Sequence, residues 1–286
     1  MRTGSPVWVA LFVRLPQEGT AMPARPERPS RDSRRTSARQ TSARRSSPQR
    51  ELVSRTAEQQ AYDGPDLPDD VTGAELDREV RRQLSSLPDK LADRVARHLV
   101  MAGRLIPDDP ETAYHHAKAA RLRAGRVAVI REACGETAYY SGRFAEAISE
   151  FRAARRMNGS VDYLPMVADS ERALGRPERA LALARDAAVS RLSEAGQVEM
   201  TIVAAGARRD RNEVSAALAL LEAAPLHSRS RAGWVARLRY AYADTLVEAK
   251  RLDDATEWFH RTIAADAEYA TDAAERLTEL AGDSTA

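Results

Sequence analysis

The chain has 286 residues, with 44 basic and 42 acidic side chains and a formal net charge of +2. A single cysteine, Cys134, excludes an intrachain disulfide and a cysteine zinc site. The longest uninterrupted apolar run, Val7 to Val13, falls short of the roughly 20 residues needed to span a bilayer. Aromatics are only 5% of the chain, and a composition led by Ala, Arg, Leu and Glu favours helix over strand. The Ala and Arg excess is also that of a GC-rich bacterial genome.

The apolar run follows Arg2, as in a secretory leader, but Arg14 interrupts it and Pro16 and Glu18 follow. A start at Met22 accounts for the region equally well, and a cytoplasmic location is expected. From Met22 to Ser54 the chain is Arg, Ser, Pro and Thr with almost no large apolar residue. Such a segment cannot offset its ordering entropy by burial, so residues 1–70 are expected to form a disordered tail ahead of a helical domain at 71–286. Residues 1–57 hold twelve Arg and four acids, a charge of +8, and since the whole is +2 the remainder is −6. Asp63-Gly64-Pro65 and Pro68-Asp69-Asp70 punctuate the boundary.

Thr72 and Glu75 have capping-box spacing ahead of a Leu76, Val80, Leu84 stripe, which predicts a helix starting near Thr72. Pro88 predicts a second helix start, and Asp109-Pro110-Glu111 a third, with a cap, a first-turn proline and an acid that suits the helix dipole. From there to Leu280 apolar residues recur at helical spacing, broken every 14 to 20 residues, with no sustained alternation of period two. The body is therefore expected to be all-α.

The clearest unit runs from Val129 to Gly159. Cys134-Gly135 and Tyr139-Tyr140 stand on its first helix, Ser141-Gly142-Arg143 forms the turn, and Phe144, Ala147, Phe151 and Ala154 mark the second helix. Small residues at fixed places allow two helices to approach closely: Gly135 is expected to face Ala147, with Phe151 filling the gap to the next unit. Equivalent alanines stand at Ala113, Ala180, Ala217 and Ala255, giving spacings along the series of 34, 33, 37 and 38 residues. Gly142 and Gly175 hold the turn place, which Asn212 and Lys250 take in later units, and Pro165 is expected to shorten or kink a first helix.

The string YYSGRFAEAISEFRAA resembles the tetratricopeptide repeat, whose period is about 34 residues. The resemblance covers roughly residues 90–266, is strong in two units and weaker in three, and is to tetratricopeptide proteins of GC-rich bacteria. It implies a right-handed α-solenoid of about five helix pairs, with flanking capping helices at the start of the body and at Leu277 and Leu280 after Thr271. It further implies a concave groove lined by the first helices, which takes an extended or helical segment of another protein. Carried over by position, the groove-facing residues are His98, Glu132, Glu136, Tyr139, Asp169, Arg172, Arg209, Arg237, Tyr240 and Asp244; a solvated helix face is the plainer alternative. Glu132, Glu136 and Asp169 would repel the acidic C-termini that some family members grip, and suit a cationic ligand, for which the Arg-rich tail is one candidate.

The function expected is thus a non-enzymatic interaction scaffold for an unidentified protein partner, with no membrane association. The alternative is an accessory factor of an RNA- or DNA-containing complex, tethered through Arg34-Arg35 and Arg44-Arg45. Against that alternative, no aromatic lies between Met22 and Gln60 to stack on bases. Neighbouring His115 and His116 point about 100° apart on a helix and cannot chelate one metal together. His227 and His260 stand alone, and no phosphate loop, nucleophile elbow or HExxH motif is present. Cys134, Trp258 and Phe259 read as core packing, Trp234 as cover for the adjoining unit, and no cofactor or metal is expected.

Overall fold

The computed structural model of the protein describes residues 63–283, and the Arg-rich segment with its expected roles lies outside them. Twelve α-helices order the described residues: α1 (Arg78–Leu84), α2 (Asp89–Leu105), α3 (Pro110–Ala124), α4 (Ala128–Tyr140), α5 (Phe144–Asn158), α6 (Leu164–Ala173), α7 (Pro177–Ala184), α8 (Glu194–Arg209), α9 (Val214–Glu222), α10 (Gly233–Glu248), α11 (Leu252–Ile263) and α12 (Ala273–Asp283). They pack as five consecutive pairs, α2 with α3 through α10 with α11, with α1 against α2 and α12 against α11. First helices of neighbouring pairs also touch, α2 with α4, α6 with α8 and α8 with α10. The fold is all-α, a series of packed helix pairs in a helical-repeat arrangement.

Helix starts follow the local chemistry with one correction. Asp109 caps α3 by accepting from the Thr112 N–H at 3.0 Å, with Pro110 in the first turn. The Thr72–Glu75 pair does form, the Thr72 N–H donating to the Glu75 carboxylate at 3.1 Å. It closes only an isolated turn, however. Helix α1 starts later, where the Asp77 carboxylate accepts from the Glu79 N–H. Residues from Asp63 to Asp70, inside the segment that composition assigns to the tail, also pack on the helices. Gly64, at φ +71°, sits so close to Ala119 and His98 that a Cβ there would come within 2.5 Å of the Ala119 methyl.

The repeated element is the turn inside each pair. Gly142, Gly175, Asn212 and Lys250 all have positive φ, between 60° and 75°. In each turn the next residue's N–H returns to the carbonyl five residues back: Arg143 to Ala138, Arg176 to Glu171, Glu213 to Arg208 and Arg251 to Leu246, at 2.7 to 3.0 Å. The turn residue's own N–H bonds the carbonyl three back, which completes a Schellman closure four times over. Each closure sets the next helix in the same register, so Ala147, Ala180, Ala217 and Ala255 are all fully buried at its fourth residue; Ala113 takes the same place in α3 after a turn capped by Asp109.

Gly135 serves a different neighbour from the one expected. A Cβ there would lie 2.5 Å from the Phe151 ring, so the missing side chain admits Phe151 rather than Ala147. On its far side Phe151 stacks on Tyr163, with ring centroids 4.6 Å apart, and so links α4, α5 and the start of α6. Pro165 lies in the first turn of α6 and does not kink it; the helix is short, at 10 residues against 16 for α8 and for α10. The extra length of the later units therefore goes into long first helices and into the connections after α7 and α9, the former holding a 3-10 turn at Ala187–Arg191. Phe259 is buried as expected from its spacing, whereas Ile263 is exposed.

Turn geometry makes a direct test. Nothing lies within 4 Å of a Cβ placed on Gly142, so Gly142→Ala costs only the strain of a left-handed backbone and is expected to destabilise by about 1 kcal/mol. Lys250→Gly relieves the same strain and is expected to stabilise by a similar amount, shifting Tm by roughly 2–4 °C in thermal melts.

Candidate functional site

A groove of about 550 Å³ opens along the first helices of the second to fifth pairs and is closed at one end by α12. Seven of the ten residues carried over from the resemblance line it: Tyr139, Asp169, Arg172, Arg209, Arg237, Tyr240 and Asp244. Its floor is apolar, with Met166 on α6, Ile202 and Val203 on α8, and Ala241 on α10.

Charge on the walls is spent internally, in a ladder that repeats with the helix pairs. The residue three before Gly142, Gly175 and Asn212 reaches to the next first helix or its cap. Tyr139 donates to Asp169 at 2.5 Å, Arg172 pairs with Asp210 at 2.8 Å, and Arg209 pairs with Asp244 at 2.9 Å and also with Glu248. Arg172 crosses to α8 over Gly206, where a Cβ would lie 2.5 Å from the guanidinium carbon, so this glycine is the passage for the ion pair. Arg237 on α10 pairs back to Glu199 on α8, and Arg276 on α12 holds Asp244 at 3.0 Å and Glu279 at 2.7 Å. Burial pushes the Tyr139 hydroxyl well above its ordinary value, with Asp169 acting in the same direction, so it stays a donor.

His98, Glu132 and Glu136 are not in the groove, a correction to the carried-over set. His98 is fully buried between α2 and α3, its Nδ1 3.0 Å from the Nδ1 of His116, so one ring donates and the other accepts. Glu132 accepts from the Asn158 side chain at 2.6 Å, and Glu136 lies beside the Tyr163 hydroxyl. The reason is the connection from α5 to α6: Asn158 and Tyr163 fold over this face of α4 and cover both carboxyls. Burial raises the pKa of each, that of Glu136 well above the carboxylate range. The acidic surface expected from Glu132, Glu136 and Asp169 is therefore absent. The first two are covered, and the third is bonded to both Tyr139 and Arg172.

Sequence reasoning missed Glu199, Asp272, Arg276 and Glu279 on the walls and Met166 and Ile202 on the floor. The ladder was available as a signal, because its opposite charges recur in one register relative to Gly175, Asn212 and Lys250. Elsewhere, Cys134 is buried against Ala102 and Ala117, and burial raises its thiol above the ordinary range. Trp258 is half-buried, with the Arg261 guanidinium 4.6 Å from its ring centre, and Trp234 is core. Among the described residues no helix is long and apolar enough to cross a membrane. Comparison with protein-family models and with curated proteins gives no match.

The buried imidazole pair has a pH consequence. Burial, followed by the charges of His116, Arg123 and Arg94, lowers the pKa of His98 from 6.5 to about 3; burial, with His115, lowers that of His116 to about 4. The unfolded chain thus takes up these protons first. The stability the neutral pair provides is complete above pH 6.5 and is lost progressively as pH falls from there to about 4 for His116 and about 3 for His98. Each imidazole is expected to add a slope approaching about 1.4 kcal/mol per pH unit to urea melts in this window. A His98→Leu/His116→Leu double variant should flatten it; an unchanged slope would place the acid sensitivity elsewhere.

Proposed function

We propose that the chain is a non-enzymatic interaction scaffold, a right-handed solenoid of tetratricopeptide type whose groove accepts a segment of a partner protein. The observation that carries this reading is the groove itself. An open channel runs along four consecutive first helices, its floor apolar and its wall charges already paired with one another. Support for the family reading comes from the four Schellman turns in one register, the five buried alanines and the close approach at Gly135.

The ligand follows from the same geometry. With the walls bonded to each other, recognition rests on apolar contact with Met166, Ile202 and Val203, arranged by groove shape. The named ion pairs join four arginines, Arg172, Arg209, Arg237 and Arg276, to six carboxylates, so the rim keeps an acidic excess. An apolar segment carrying a basic residue at its edge fits this surface better than an acidic one.

A photo-cross-linking residue tests the reading when placed at Ile202 in the full chain, with a second at exposed Lys250 as control. Covalent capture of a small set of proteins from position 202, absent from position 250, is the expected result. Equal capture from both positions, or an adduct only within residues 1–62 of the same chain, would show that the groove holds no partner.

A further inference from the structure

We propose that the edge of the helical array where one pair connects to the next is a binding surface for the phosphate backbone of a nucleic acid. In an array of antiparallel pairs the connections alternate between two edges. The tight turns within pairs lie on one edge, and the connections α3–α4, α5–α6, α7–α8 and α9–α10 lie on the other. Arg126, Arg156, Arg185, Arg191, Arg229 and Arg231 sit at these four connections, all exposed. Among the described residues none of the six takes part in an ion pair or a side-chain hydrogen bond.

The opposite edge shows what arginines do in this protein when they serve the fold. There Arg143 pairs with Glu111, Arg176 and Arg179 with Glu171, Arg208 and Arg211 with Glu213, and Arg251 with Asp254. Acids also stand in the first turns of α3, α5, α7 and α11, where they oppose the positive end of each helix dipole. On the connecting edge the first turns of α4, α6 and α10 contain no acid and α8 has one, Glu194; Asp162 and Asp186 lie in two of the connections and each accepts a hydrogen bond within its own loop. Six arginines against Asp162, Asp186 and Glu194 leave a net positive charge along this side of the molecule. The stripe has ends as well. Asp89 and Asp93 stand at the start of α2, and Asp272 and Glu275 at the start of α12.

Spacing selects the ligand. Adjacent pairs at interaxial distances of about 10 Å put the four connections along roughly 30 Å. A polymer with a negative charge on every unit can meet all four stations in any register. All six cations are arginine, whose planar fork matches phosphate oxygens bidentately. No aromatic belongs to the set, so contact is with the backbone and is indifferent to base sequence. The surface is separate from the groove and does not depend on what the groove holds.

Fluorescence anisotropy of labelled oligonucleotides of about 20 units, one single-stranded (dT only) and one duplex, tests this with the full chain. The parent is compared with Arg126→Gln/Arg156→Gln/Arg191→Gln/Arg231→Gln, which removes one cation per connection and no internal contact. The variant should melt like the parent, bind at least about 10-fold more weakly, and lose about 3 from the slope of log K against log salt. The arm that binds tighter tells whether a single strand or a duplex is the natural source of the phosphates. The proposal is overturned if neither oligonucleotide binds, or if parent and variant bind alike, which would assign affinity to the arginines of residues 1–57. Displacement by polyglutamate at equal charge concentration, with no displacement by excess unlabelled oligonucleotide, would overturn it in favour of an acidic protein.

Discussion

Each pair of helices closes at one point, the fourth residue of its second helix, where Ala113, Ala147, Ala180, Ala217 and Ala255 have no exposed surface. A methyl group is all that fits between axes about 8–10 Å apart, and a larger side chain would splay the pair at its turn. Because each pair packs mainly on its neighbours, an error at one junction would tilt every pair beyond it. The Schellman turns make that junction reproducible. A positive-φ residue followed by a returning N–H fixes where the second helix begins, and so which residue meets the first helix. Gly142 and Gly175 do this without strain, while Asn212 and Lys250 do it against a steric cost of about 1 kcal/mol that packing in the later units offsets.

This junction is also what made the fold legible from the amino-acid pattern. Small residues at fixed spacing and, in four of the pairs, a glycine or its substitute five residues before them are local features, set by chemistry within one pair. Relations between pairs were less legible. His98, Glu132 and Glu136 stand at helical positions that should face the groove, yet the segments 63–67 and 158–163 fold over them, and no periodicity reports where a connection will lie. Gly135 was read as a contact within the pair at Ala147, while in fact it makes room for Phe151, whose other face meets Tyr163 in the next unit. The start of α1 failed for a related reason. A capping interaction satisfies one N–H wherever the spacing allows, and only continued apolar contact beyond it turns one closed turn into a helix.

Buried polar groups divide by how they are satisfied. The Glu150 carboxylate is buried with Arg121 at 2.9 Å and Arg131 at 2.8 Å, and so holds the end of α3 and the start of α4 against α5. Glu171 is buried beneath Arg152 at 3.1 Å and Arg176 at 3.4 Å, which lie on either side of it in sequence. Removing one arginine from such a set leaves a second in place, so neither carboxylate depends on a single partner. Glu136 lies beside the Tyr163 hydroxyl instead of an arginine, and burial raises its pKa. Glu150 and Glu171 are thus each met by two or more arginines, whereas Glu132 and Glu136 are covered by neighbouring polar side chains.

Arg172, Arg209 and Arg276 on the groove wall are partly exposed, and ion pairs open to solvent are worth only about 0.2–1 kcal/mol. Their value to the molecule is therefore in register more than in energy. Arg172 over Gly206 and Arg209 between Asp244 and Glu248 each specify how far one first helix slides along the next, and hence the width of the channel between them. A ligand that drew on these charges would have to break the contacts that shape its own site. Binding through the apolar floor leaves the ladder intact, and the walls then act as a frame of set width that admits a segment by its shape.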